Sequence, residues 1–440
     1  MKYHYTNLPF AILLFAICIY APEPAAAQPA NGSSLKIETA HTSAELYADA
    51  QSYTEKKFGE FVQKNIPYSK KLEEQTYREQ RELAARNADQ LALRKEIKGE
   101  DLFYLGLLYN LADNNDKALD ALKKFLSETA TNQNSNPQIA RIFLVKILSN
   151  KGVPEEAEKF LADYKQNQPV GQEQISRMES NLTSAYYNSK RPTQAATHAR
   201  AALDALLLWK PENIKDKDTR NRAISVASLL LAKINQEMNK KDEAAKVLNE
   251  ARSLAFAIPS ANLYEEVTRA LVRLKGTASD ILNIIENKSD ETAPELNVKH
   301  WLDKKTKLSD LRGRVVLLDF WASWCGPCIQ AFPHLREMHD KYRKKGLTII
   351  GVTKLFGEYG GMELTPSQEL AHLRGFKQQF HLPYSIAVND TREIHTAYGV
   401  DSFPTVFLLD KKGRVRYIGV GTNTNREFEI EQMIVKLLNE

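Results

Sequence analysis

The chain has 440 residues, 43% of them hydrophobic and 26% charged, an ordinary globular composition but too long for one core. Two or three domains are therefore expected. The formal charge of +5 is spread without a long basic run, which excludes an argument for nucleic acid or an anionic membrane surface as partner.

The first residues read as a secretory signal. Lys2 and the amino terminus are positive, Leu8 to Tyr20 is an apolar run, and Ala21 to Ala30 is rich in Ala and Pro. Ala25 and Ala27 fit a small-x-small cleavage site, so the expected signal is 1–27 and the mature chain starts near Gln28. The alternative is a retained anchor, against which the apolar run is short for a bilayer. Cys18 suggests lipid attachment, but the bulky Ile17 stands where such a site needs a small residue. The expected location is the periplasm or cell envelope, reached across the inner membrane.

Residues 28–98 read as a small, polar, disordered lead-in followed by a helical segment. Pro67 breaks that segment in two, and Phe58, Phe61, Val62 and Ile66 form one apolar face before the break. Residues 99–286 read as an all-α domain of stacked helical hairpins. Four polar turns precede a helix that opens on a buried-type alanine: Asp113 to Asp116 before Ala118, Lys151 to Pro154 before Ala157, Ser189 to Pro192 before Ala195, and Asn239 to Asp242 before Ala244. The small side chain lets two helices approach closely, and Pro154 and Pro192 suit a first helical turn. This layout resembles the tetratricopeptide family, whose period is about 34 residues. The alanine spacings of 39, 38 and 49 depart from that period. The resemblance implies a helical solenoid that binds a protein partner on its concave face or acts as a rigid spacer.

A polar linker is expected near 287–292, and residues 287–440 form the last domain. Strands are predicted at Val315–Phe320, Leu347–Thr353, Tyr384–Val388, Thr405–Leu409 and Val415–Val420. Helices follow Cys328, span Ser367–Phe380, and close the chain with Phe428, Ile430, Met433, Ile434, Leu437 and Leu438 on one face. That order implies an α/β domain, a mixed sheet covered on both faces.

Without Cys18, the mature chain keeps Cys325 and Cys328 alone. Closing so short a loop removes little unfolded-state entropy, so chemistry explains the pair better than stability does. The segment Asp319-Phe320-Trp321-Ala322-Ser323-Trp324-Cys325-Gly326-Pro327-Cys328 places a Cys-x-x-Cys after a strand and at the start of a helix. Free N–H groups and the macrodipole there favour a thiolate. Cys325 is the expected nucleophile. Cys328, inside the helix, is the resolving thiol. A zinc site would need four ligands and no second pair exists. A c-type haem would need His where Ile329 stands. No metal and no cofactor are expected. His334, His339, His372, His381 and His395 read as surface or core residues, Trp321 as core, and Gly357, Gly360, Gly361 and Met362 as a surface loop.

Trp-Cys-Gly-Pro-Cys after Asp-Phe-Trp-Ala resembles thioredoxin. The likeness implies further roles. Pro333 kinks the active-site helix, Asp319 is a buried proton acceptor for Cys328, and Phe403-Pro404-Thr405 holds a cis-proline opposite the cysteines. Trp324, Gly326, Pro327, Phe403 and Pro404 then line the substrate groove. Ala293-Pro294-Glu295 and Leu308 to Val316 resemble the leading hairpin of the TlpA/ResA branch of extracytoplasmic thioredoxins. The insertion between Thr353 and Tyr384 resembles its added strand–helix element. Many members of that branch carry Glu three residues after the second cysteine. Here Ala331 stands there, which leaves Asp319 as the sole expected buried acceptor. The resemblance implies a reductase of protein disulfides, fed by a membrane thiol-electron donor. The alternatives are an oxidase or isomerase, a helical scaffold with an accessory redox domain, or a thiol peroxidase, whose Thr/Ser and Arg set is not visible.

Overall fold

The computed structural model describes residues 41–128, 136–275, 291–421 and 424–440. The expected signal, the lead-in and linker residues 287–290 lie outside the described residues. No described helix is long and apolar enough to cross a membrane.

Eleven described helices come first. They are α1 Ser43–Gln63, α2 Lys70–Ala92, α3 Glu100–Leu111, α4 Asn115–Glu128, α5 Asn136–Asn150, α6 Pro154–Gln166, α7 Gln172–Asn188, α8 Pro192–Leu208, α9 Ile214–Glu237, α10 Lys241–Ala257 and α11 Ala261–Lys275. Thr42 opens α1 with a capping box to Glu45, and Pro67 lies in the break before α2.

The four expected turns join α3 to α4, α5 to α6, α7 to α8 and α9 to α10, and they share one backbone device. Asp113, Gly152, Lys190 and Asn239 all have positive φ, between 60° and 73°. In each turn the next N–H reaches back to a carbonyl five residues earlier: Asn114 to Tyr109, Val153 to Leu148, Arg191 to Tyr186 and Lys240 to Asn235, all at 2.8–3.0 Å. This left-handed termination satisfies carbonyls that the helix end would otherwise leave free. Five residues after each positive-φ position stand Ala118, Ala157, Ala195 and Ala244, each at most 1% exposed. A larger side chain there would push the paired helices apart. Helices α1 and α2 share one core with α3 to α8, through Leu46, Ala84, Ala88 and Leu91.

The array holds a partly buried charge cluster. The His198 ring, stacked on Tyr186, lies 2.6 Å from Glu179 and 3.0 Å from Glu158, and Lys165 donates to Glu179 at 2.7 Å. Burial opposes a charged imidazole, but the bonds to Glu179 and Glu158 outweigh it and raise the His198 pKa above its ordinary value.

The last third is a mixed sheet in the order β1-β6-β3-β2-β7-β8. Its elements are β1 His300–Trp301, β2 Val315–Phe320, α12 Gly326–Tyr342, β3 Leu347–Lys354, β4 Glu358–Tyr359, β5 Met362–Glu363, α13 Pro366–Gln379, β6 Ser385–Asn389, α14 Glu393–Ala397, β7 Thr405–Leu409, β8 Val415–Val420 and α15 Thr424–Asn439. Strands β2, β3 and β6 are parallel; β1, β7 and β8 run antiparallel to their neighbours.

Two expectations are corrected. The leading hairpin is a single two-residue strand, β1, on the edge beside β6. Glu295 instead ties the two segments together, accepting from the N–H groups of Leu308 and Ser309 at 2.8 and 2.7 Å. The glycine loop of the insertion is a small hairpin, β4–β5, turned at Gly360 and Gly361 with φ of 61° and 81°.

Side chains alternate along β2. Val315, Leu317 and Trp321 face α12, α13 and α15, whereas Val316, Leu318 and Phe320 face the other way. On the second face the domain's own cover is slight: the five-residue α14, a 3-10 turn at Leu308–Leu311, and Ala293 and Leu296 from the segment before it. The array adds to it, with α10 and α11 packed on β8 and α9 on α14. Leu203, Leu206, Ile224, Leu248, Phe256, Leu263, Val267 and Leu271 join Val316, Leu318, Phe320, Phe407, Leu409 and Ile418 in one core. Each large apolar side chain so covered is worth roughly 1.5–3 kcal/mol.

The His198 cluster predicts a pH-dependent stability. A pKa raised on folding gives stability that is complete below about pH 6.5 and is lost as pH rises through the folded value. His198→Gln should therefore lower the urea-unfolding free energy by roughly 1–3 kcal/mol near pH 6 and by clearly less near pH 9. An equal loss at both pH values would refute the charged pair.

Candidate active site

β2 delivers the chain to the site, and α12 receives it. Cys325 is the N-cap of α12. Its Sγ accepts the Cys328 N–H at 3.2 Å, and its carbonyl accepts from Cys328 and Ile329 at 3.0 and 3.2 Å. Pro327 occupies the first turn, where its missing N–H costs nothing. Cys325 and Cys328 are joined as a disulfide. They are 4% and 1% exposed, so the two thiols differ little in burial in the oxidised state. Trp324 is 54% exposed beside them, and nothing lies within 4 Å of where a side chain on Gly326 would point.

Asp319 lies on the face of β2 that α12 covers, and it is 2% exposed. Its Oδ2 has no hydrogen-bond partner among the described residues. Burial raises its pKa to about 7. In register opposite it on β3 stands Gly351. A Cβ on Gly351 would lie 2.9 Å from the Trp321 Nε1 and 3.5 Å from the Tyr384 ring. Tyr384 is buried; burial, then the charge of Asp319, pushes its hydroxyl well above the usual tyrosine range. Tyr384 and Gly351 had no place among the candidate residues. The available signal was a glycine in the middle of an apolar strand, which marks a close approach.

The Phe403–Pro404 peptide is cis, as the resemblance implied. Thr405 pairs with Phe320, so Pro404 stands at the end of the sheet from which the cysteines leave. The Pro404 carbonyl accepts from Gly421 N–H at 2.8 Å, and the Ser402 carbonyl from Thr405 Oγ1 at 2.7 Å. Among the described residues no hydrogen bond engages the Phe403 N–H or C=O. The Phe403 ring meets Trp324 at 5.9 Å between centroids, and Phe356 meets Trp324 at 5.4 Å. Phe356 was not singled out from sequence. It is positioned by the buried Glu369, whose carboxylate accepts the N–H groups of Phe356 and Gly357 at 2.8 and 2.9 Å.

Trp321 is fully buried, packed on Phe332 and Phe376. His395 is buried between Phe320 and Phe403. Burial, reinforced by Lys354 and Arg392, lowers its pKa to about 4, so it is neutral near pH 7. No group of three or more His, Cys, Asp or Glu suited to a metal occurs among the described residues.

The last third of the chain is similar to known proteins. Residues 288–434 match the Redoxin family model. The thiol-disulfide oxidoreductase ResA of Geobacillus thermodenitrificans is 30% identical over 138 residues, which are 31% of this chain and 72% of that protein. The thioredoxin-like protein YneN of Bacillus subtilis is 34% identical over 139 residues, 32% of this chain and 75% of that protein. Among solved structures, a thiol-disulfide isomerase from Corynebacterium glutamicum is 25% identical, with a TM-score of 0.29, covering 34% of this chain and 97% of that one. Through its last third, a thioredoxin-like domain that follows a helical region, the chain belongs to the ResA family of thiol-disulfide oxidoreductases.

Proposed function

We propose that this protein is an exported reductase of protein disulfides, with signal 1–27, a lead-in and helical segment in 28–98, a tetratricopeptide-like domain 99–286 and a redox domain 287–440. The observation that carries the reading is the Cys325–Cys328 pair at the start of α12, with a buried carboxylate on the same side of β2 and a cis-proline at the same end of the sheet. The Cys325 thiolate attacks one sulfur of a substrate disulfide. The substrate S–S bond breaks, and the released thiolate takes a proton from water. Asp319, as carboxylate, takes the Cys328 proton, and Cys328 then attacks Sγ of Cys325. The mixed disulfide breaks and the second substrate sulfur leaves. Two electrons have passed from the cysteine pair to the substrate. A dithiol donor in the membrane returns them.

A base works best with a pKa near the working pH, and Asp319 meets that condition at about 7. The unengaged Phe403 peptide group offers strand-like pairing to an extended substrate chain. Trp324, Phe356 and Phe403 supply an aromatic surface next to the nucleophile, and Gly326 and Pro327 leave room above it.

The direction of transfer follows from the potential. The pair should equilibrate with glutathione or a thioredoxin couple near about −270 mV, the value for thioredoxin's own Gly-Pro dipeptide. A value near about −120 mV would reverse the assignment to an oxidase.

Cys328→Ser should accumulate a mixed disulfide at Cys325, visible by non-reducing electrophoresis. Asp319→Asn should slow resolution most above about pH 7, where the wild-type carboxylate is ionised. An unchanged pH–rate profile would remove Asp319 from the proton path.

The same carboxyl predicts a stability effect of opposite sign. Its pKa is raised on folding, so burying the ionised form costs stability that grows from about pH 4 and levels off above about pH 7. Asp319→Asn should stabilise the oxidised protein by up to roughly 4 kcal/mol near pH 8 and by little near pH 3.5. A gain that does not change between those pH values would contradict the buried titration.

A further inference from the structure

We propose that the helical array is part of the redox site: through Arg222 and Asn262 it positions the segment 398–404 that presents Phe403 and Pro404 to a substrate. This rests on the reading of that segment as the substrate-pairing loop.

The array and the loop are joined first by backbone. α14 ends at Ala397, and the next two carbonyls, of Tyr398 and Gly399, accept the N–H groups of Ala261 and Asn262 at 3.0 and 2.9 Å. Those donors are the first two residues of α11. A helix start has unpaired donors and a helix end has unpaired acceptors, so each end satisfies the other. The approach is close. Gly399 has φ +55°, and a Cβ on it would lie 2.7 Å from the Ser260 Oγ and 3.1 Å from its Cα. A side chain there would force the array away from the loop.

The second joint lies nearer the site. The Asp401 Oδ2 accepts from Arg222 Nη2 at 2.8 Å and from Asn262 Nδ2 at 2.6 Å; its Oδ1 accepts from Arg392 at 2.6 Å. Two of these three donors belong to the array, and Arg222 is itself steadied by Asp218 at 2.9 Å. Asp401 is two residues before Phe403. Beneath them the Tyr398 ring is fully buried against Phe320 and Phe407, and its hydroxyl donates to the Pro294 carbonyl at 2.5 Å. The loop is thus held from below by the sheet core and from the side by the array. Half-exposed ion pairs contribute little to stability. The effect of the Asp401 joint is therefore on where the loop sits. Arg222 and Asn262 touch no substrate and are positioning residues.

The test uses the full reduced chain and two substrates. Insulin disulfides need the pairing loop, whereas 5,5′-dithiobis(2-nitrobenzoate) needs little beyond an accessible Cys325. Arg222→Ala and Asn262→Ala should each raise the KM for insulin about five-fold, the scale of one lost hydrogen bond, with a smaller change toward the small disulfide. Arg222→Lys should recover part of the loss. Hydrogen exchange at Gly421, whose N–H is bonded to the Pro404 carbonyl, should quicken in both alanine variants. An equal loss toward both substrates, or an unchanged KM with unchanged exchange, would overturn the inference. Failure of the wild-type chain to reduce insulin would instead refute the reductase reading, and the exchange measurement then decides the positioning role alone.

Discussion

A parallel-centred sheet is apolar on both faces, and both must be covered. In β2 this shows residue by residue, with Val315 and Leu317 pointing one way and Val316, Leu318 and Phe320 the other. The chain covers the first face locally, with α12, α13 and α15. For the second it supplies the short α14, the 3-10 turn Leu308–Leu311 and the leading residues Ala293 and Leu296, and the helices before the sheet add the remaining cover. The array is thus a layer of the redox domain as well as a domain of its own. Its direct packing is on the edge strand and the short helix: α10 and α11 lie against β8, and α9 against α14.

The chemistry depends on what that covering does to charge. A dry interior makes an ionised carboxylate expensive, so Asp319, sealed beneath α12, titrates near neutral pH. A helix start has the opposite effect on a thiol: unpaired N–H groups favour the anion. The Cys328 N–H already points at the Cys325 sulfur. In the proposed reaction, one device stabilises negative charge at the attacking sulfur, and the other keeps the base close to its titration point. Both follow from placing Cys-x-x-Cys where a buried strand gives way to a helix. His395 shows the same dryness acting on a base, which stays neutral behind Phe403.

Much of this was legible because it is local. The four hairpin turns declared themselves through polar residues, first-turn prolines and a buried alanine at fixed distance, and they close on a common left-handed residue. Strands β2, β7 and β8 begin and end where their apolar runs do. What was not legible depends on partners far along the chain. Phe356 reaches the site because Glu369 pulls in its N–H, and nothing around Phe356 announces that. Tyr384 meets Asp319 through strand order. The leading hairpin was read from a likeness, and β1 found its partner in β6 instead of in a neighbour.

The amino-acid order by itself determined the hairpin repeat, the strand sequence and the Cys-Gly-Pro-Cys chemistry, because capping, periodicity and turn residues act over a few positions. It also marked Asp319 and Pro404 as candidates, through a likeness that spacing alone carries. Tertiary structure decided that the carboxyl is buried enough to titrate near pH 7, since desolvation is a property of the whole shell. It also decided that α9 to α11 close the open face of the sheet and grip the loop before Pro404. Ser260 and Gly399 lie 139 residues apart, and their contact exists only once two separate apolar surfaces have had to cover each other.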